Sequence, residues 1–216
     1  MERLITIKGI GNVSRTPDWI RINLGMEVER REYSGCLDAA AEQVSQLRKA
    51  LLPHGFTDRD IRSTQFHVDT AYDRVRDANG DYKQVFRGYE CHQRLYILFS
   101  RESDLLGPVL ESLADCPARP TFELRYEVKD RAEFLQALLE SAVADGQRKA
   151  EILARAAGVS LGDLVSMDYS WGEIRVYEEQ AFMNEKAMCA SVADLDLTPD
   201  DITAEESVTL VWIMKS

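Results

Sequence analysis

Two histidines, His67 and His92, lie in strand-like runs on either side of Asn79-Gly80, a strong two-residue hairpin signal. A two-residue turn there sets His67 opposite His92, Asp69 opposite Glu90 and Gln65 opposite Arg94. Directly opposed side chains in an antiparallel pair have Cβ atoms about 4.5–5.5 Å apart. His67 and His92, with Asp69 or Glu90, could therefore hold a borderline divalent metal. The alternative is a pair of solvent-facing strand histidines. On the other face the same register opposes Phe66 to Gln93, Val68 to Cys91 and Thr64 to Leu95. It predicts that Phe66, Val68, Cys91 and Leu95 share the core side.

Other candidate chemistry is weaker. Cys91 and His92 are adjacent, and neighbouring strand residues point to opposite faces, so they form no catalytic pair. Cys36 near a helix start reads as a depressed thiol or, more simply, a buried inert one. Gly9-Ile10-Gly11 lacks the third glycine and the strand-to-helix setting of a dinucleotide loop, and reads as a glycine-relieved strand or bulge. Asp200-Asp201 reads as a solvated acidic pair. No pattern calls for a cofactor. The segment from Val176 to Val192 carries Phe182, Met183, Met188 and Val192 in a charged setting. Methionine and aromatic residues suit adaptable contact surfaces, so these four are candidates for self-association or a partner contact, against folding back on the chain's own sheet or disorder.

These residues need elements to hold them. Asp18 to Glu32 alternates as a half-buried strand, followed by a helical stripe of Leu37, Ala40, Ala41, Val44, Leu47 and Leu51 that ends at Pro53-His54-Gly55. The two hairpin strands span Ile61 to Tyr72 and Val85 to Phe99. A short helix capped by Ser103 and a strand through Phe122, Leu124, Tyr126 and Val128 complete a β-α-β-β-α-β order, the ferredoxin-like split unit. Asp130 and Glu133 form a capping box for a long helix that stops at Gly158. Leu135, Leu139, Ala142, Gly146, Ala150, Leu153 and Ala157 give it one apolar face, and the run spans roughly 42 Å. A first strand over residues 4–12, one near Leu164–Trp171 and a last near Ile202–Met214 are added. The expected fold class is α+β: a twisted antiparallel sheet with a ferredoxin-like core, the long helix and extra strands packed on it. Residues 1–216 are expected to form a single domain, with an irregular acidic insertion at about 172–201.

Composition narrows the function. A net charge of −11 argues against a phosphate-binding surface and so against nucleic acid. No apolar run approaches the roughly 20 residues that span a bilayer. The N-terminus, broken by Lys8 and by glycine and polar residues, is no signal-peptide core, which points to the cytoplasm. The four cysteines are far apart in sequence and are expected as free thiols.

In this order the elements resemble the SIMPL domain family, a domain of unknown function. The matching words are ITIKGIGNVSRTPDWIRINLGMEVE, STQFHVDTAYD, GYECHQRLYILF, KAEILARAAGVSLGDLVSM and LTPDDITAEESVTLVWIM, across residues 4–214. The resemblance implies helices packed on a twisted antiparallel sheet, and members that self-associate, some into large rings. Many bacterial members look exported, and a eukaryotic adaptor in the family binds a signalling kinase. The family offers no established catalytic residues to carry over. The expectation is a homo-oligomeric binding or assembly module without catalysis. Its rival is a metal- or small-molecule-dependent enzyme using the hairpin histidines and the acidic insertion.

Overall fold

The computed structural model of the chain describes residues 3–76, 81–169 and 198–215, and the backbone of 175–177. In chain order the elements are β1 (Arg3–Arg15), β2 (Trp19–Arg30), α1 (Tyr33–Leu51), β3 (Arg62–Arg76), β4 (Tyr82–Ser100) and α2 (Leu106–Ala114). Then come β5 (Thr121–Glu127), α3 (Arg131–Ala156), β6 (Ser160–Asp168), β7 (Arg175–Tyr177) and β8 (Ile202–Lys215). The fold is α+β, with two antiparallel sheets where a single one was expected. The described residues fall into two compact units, one from 3–18, 127–169, 175–177 and 198–215, the other from 19–76 and 81–126.

The first unit is built on β8. β1 pairs with it along its whole length, from Arg3 opposite Met214 to Arg15 opposite Ile202. β6 and β7 pair with its other edge. Strict alternation buries Ile202, Ala204, Val208, Leu210 and Trp212 on one face, and α3 lies on that face. Asp130 caps α3 by accepting the Glu133 amide at 2.9 Å, as the capping box requires. The Glu133 carboxylate turns instead to Arg15, at 3.1 Å. Gly158, at φ 72°, follows the helix end in the left-handed conformation that favours glycine.

The buried face of α3 is Phe134, Leu138, Ala142, Gly146, Ala150 and Ala154. The expected stripe holds at its centre and fails at its C-terminal end, because Leu153 is half exposed and Ala157 is exposed, while Leu135 at its start is partly buried against the core. Uniform four-residue steps advance about 40° per step on a helix of 3.6 residues per turn, so the buried row winds around α3. A helix laid on a twisted sheet needs that winding to stay in contact. Where α3 meets β1 the approach is backbone to backbone. A Cβ added at Gly9 would collide with the Ala142 carbonyl oxygen, and one at Gly11 with that of Leu138.

The second unit has its sheet in the order β3-β4-β2-β5, with both helices on one face. Ile20, Ile22, Leu24 and Met26 of β2 and Leu95, Ile97 and Phe99 of β4 pack there against Leu47 and Leu51 of α1 and Val109, Leu110 and Leu113 of α2. Gln93 shares that face and donates to the Ala40 carbonyl at 2.9 Å, fastening α1 to β4. Cys36 and Cys91 are free, fully buried thiols in contact with each other. Burial, with the Cys36 contact, pushes the Cys91 thiol up to about 12. Ser103 does not cap α2. It sits in a preceding 3-10 turn and donates to the Ser100 carbonyl.

Candidate functional site

β3 and β4 carry the hairpin residues, and their register sets His67 opposite His92, Asp69 opposite Glu90 and Gln65 opposite Arg94. Nearer the turn the register differs by one, with Tyr72 opposite Phe86. Arg87 is the additional residue of a bulge that separates the two registers. A side chain at Gly88, beside the bulge, would meet the Arg30 carbonyl oxygen. A second irregularity brings Ser63, not Thr64, opposite Leu95. Residues 77–80, the turn itself, lie outside the described residues.

Alternation divides the two faces. Cys91, Gln93 and Leu95 are buried beneath the helices, and His92 and Arg94 point the other way. Val68 is half-buried on the helix side, but Phe66 is 52% exposed, against expectation. The reason is position: β3 is an edge strand, and α1 packs on β2 and β4. Sequence alternation assigns a side chain to a face and cannot say how far the cover extends.

On the face turned from the helices, the two imidazoles stack with centroids 4.6 Å apart and planes within 13°. His67 Nε2 lies 3.3 Å from Asp69 Oδ2, and its Nδ1 lies 3.4 Å from Gln65 Nε2. His92 Nδ1 lies 3.2 Å from Glu27 Oε1 and its Nε2 3.7 Å from Glu90 Oε2. Glu27 comes from β2, directly opposite His92. Sequence reading missed it because strand order, not spacing, makes β2 the other neighbour of β4. The polar alternation of Asn23, Glu27 and Glu29 was its visible signal. Arg87 binds Glu29 at 2.6 Å and Asp73 at 3.3 Å, bordering the cluster.

Beyond Tyr89, the partner of Arg30 at the end of β2, β4 pairs among the described residues with β3 alone, making a two-stranded arm. Aromatic side chains run along it edge to face. Tyr33 of α1 meets Tyr89 at 5.3 Å, Tyr89 meets Phe86 at 5.4 Å, and Phe86 meets Tyr72 at 5.8 Å. Nearer the turn, Arg74 stacks over the Tyr82 ring.

The remaining candidates fall elsewhere. Phe182, Met183, Met188 and Val192 lie outside the described residues, as does most of the 172–201 segment. Asp201 is no bare solvated carboxylate, since it accepts from Thr16 Oγ1 at 2.7 Å and from Ser14 Oγ at 3.2 Å. His54 has Ser112 Oγ at 2.7 Å, beside a groove of about 470 Å³ between α1 and α2. Among the described residues, no helix is long and apolar enough to cross a membrane.

Two curated proteins resemble the chain. The 26 kDa periplasmic immunogenic proteins of Brucella melitensis biotype 1 and Brucella abortus are each 24% identical to it over 163 residues. The match takes in 76% of this chain but 65% of either relative, so the chain spans less than two thirds of their length. The SIMPL family model, described as a protein of unknown function, matches residues 5–212, and the chain belongs to that family.

Proposed function

We propose that the chain is a self-assembling binding or scaffold module rather than a catalyst, with the β3–β4 arm as its main contact. The observation that carries this reading is the aromatic run. Tyr72, Tyr82 and Phe86 are 52%, 61% and 46% exposed on a ribbon two strands wide. An isolated two-stranded hairpin is marginal in water, and contiguous exposed apolar surface marks a contact site. An edge strand such as β3 also presents a row of backbone groups on which a strand of a second copy can align. Phe182, Met183, Met188 and Val192 remain part of the proposal as a second contact patch. The relatives' name includes the word periplasmic, which weighs toward an extracytoplasmic setting over the cytoplasm expected from the N-terminus.

Sedimentation velocity of the full chain tests the reading. The native chain is expected to sediment as an oligomer and the Tyr72→Ser/Phe86→Ser variant as a folded monomer. Deleting residues 176–192 should weaken assembly without abolishing it. A native chain that stays monomeric at tens of micromolar, near the weak end of specific association, would refute assembly. An oligomer unchanged in the double variant would refute the arm.

A further inference from the structure

The histidine cluster on the second unit supports a function independent of assembly. We propose that His67, His92 and Asp69 bind a divalent transition-metal ion of the zinc, copper or nickel class, with Glu27 orienting His92. The arrangement of His92 and the convergence of His67 and Asp69 on it carry the inference. His92 has a carboxylate at Nδ1, Glu27 at 3.2 Å, leaving Nε2 on the side of Glu90. His67 has Gln65 at Nδ1 and Asp69 at Nε2. In metal sites a histidine ligand characteristically engages its second nitrogen with a carboxylate or similar partner, which fixes the tautomer and the ring direction. His92 already has such a partner in Glu27; at His67 the Gln65 amide faces Nδ1 with its nitrogen and has to turn its oxygen there to accept the Nδ1 proton when Nε2 binds the ion.

Distances permit the rest. Donor atoms of His67, Asp69 and His92 all lie within 4.8 Å of one another, as do those of Glu27, Glu90 and His92. Tetrahedral ligands bonded at about 2.0–2.1 Å to one zinc ion are about 3.4 Å apart. The first trio therefore has to close by up to about 1.4 Å, and the stacked rings have to tilt toward each other so that both nitrogens meet the ion. His67 and Asp69 are 43% and 64% exposed in their side chains, so rotation of surface side chains suffices. The electrostatics point the same way. Asp69 stands opposite Glu90, and directly opposed like charges destabilise a sheet. Glu27 adds a third carboxylate, and Arg87 on the border is engaged by Glu29 and Asp73. A cation among them would relieve the repulsion. Nitrogen and oxygen donors together suit a borderline ion better than calcium or magnesium, which take oxygen alone.

The chain has three histidines, which makes the test clean. Calorimetric titration of the chelator-stripped full chain with Zn²⁺ is expected to show one site with a dissociation constant in the micromolar range. Outer partners of metal ligands are worth about 10–100-fold in affinity, which is the loss expected for Glu27→Gln, and His67→Ala and His92→Ala should lose at least as much. His54→Ala, remote on Ser112, should bind as the native chain does. Electron paramagnetic resonance of the Cu²⁺ form should show two imidazole nitrogens, falling to one in His67→Ala. Affinity unchanged in His92→Ala, or a copper spectrum without two nitrogens, would overturn the assignment. Binding that survives in a monomeric arm variant would separate this site from the proposed assembly.

Discussion

The contact between α3 and β1 and the arm of β3 and β4 are both built on antiparallel strands, and they are filled in opposite ways. In the first, Gly9, Gly11, Ala142 and Gly146 remove side chains so that helix and strand backbones meet. In the second, Tyr72, Tyr82 and Phe86 place large rings where the described residues leave them half in water. Small residues at a closed contact gain dispersion along the whole backbone and leave nothing to offer a partner. Large rings at an open surface gain little until something covers them. The closed contact holds the long helix in the fold, and the open rings leave the arm as the surface for the proposed contact.

The sharpest way to break this comparison is to exchange the side-chain sizes. Gly9→Val puts three carbons into the position where a single Cβ already meets the Ala142 carbonyl oxygen. Backbone cannot yield as a flexible side chain does, so the loss should reach about 4 kcal/mol or more, the range reserved for severe core faults. Phe86→Ala removes two edge-to-face pairs worth about 0.5–1.5 kcal/mol each, and the monomer should lose about 1–3 kcal/mol. Urea denaturation of both variants measures the contrast. If Gly9→Val unfolds at nearly the native midpoint, the closed contact is wrong.

What the sequence disclosed follows the range of each signal. Local chemistry was legible: Asp130 caps α3, Gly158 follows it left-handed, and alternation separates Cys91 from His92. The register at His67 is the one expected from a two-residue turn. The strands beside the turn, however, run one residue off it, down to Arg76 opposite Tyr82, and the extra residue at Arg87, which nothing in the spacing announces, restores it. Longer-range facts were not legible. A seven-residue repeat placed Leu153 on the buried face of α3, whereas a twisted sheet selects a four-residue row that ends at Ala154. Glu27 joined the histidines only once β2 was known to lie beside β4. Nothing in the spacing of Gly9 and Gly11 names Ala142 and Leu138 as the groups they admit.

A smaller effect distinguishes the thiols from the exposed arm beside them. The thiolate is the reactive form, and with its thiol pushed up to about 12, Cys91 should be roughly one part in 10⁴ thiolate at pH 8 by that offset. Iodoacetamide should therefore spare Cys36 and Cys91 in the native chain and label both in urea, as peptide mapping would show. Native labelling of Cys91 at the rate of an open thiol would mean that α1 does not cover β4 as described.

The subtlest test returns to the closed contact, through the charged tie beside its glycines. Asp145 on α3 accepts the Ile10 amide of β1 at 2.8 Å and has Lys149 at 2.6 Å and Arg148 at 2.8 Å. The Lys149 ammonium, then the Ile10 amide, holds its carboxyl well below the usual carboxylate range, against a smaller opposing effect of burial. A carboxyl lowered on folding stabilises the native state above its unfolded value near 3.9 and loses that contribution as acid protonates it in the fold. Asp145→Asn keeps an acceptor for Ile10 but gives up the charge. The variant should be less stable than the native chain at pH 7, and the gap should narrow steadily below about pH 4. Urea midpoints of the two chains across pH 7 to pH 2.5 measure it. A gap that stays constant over that range would mean the carboxylate works only as a hydrogen-bond acceptor, leaving the glycine contact without an electrostatic latch.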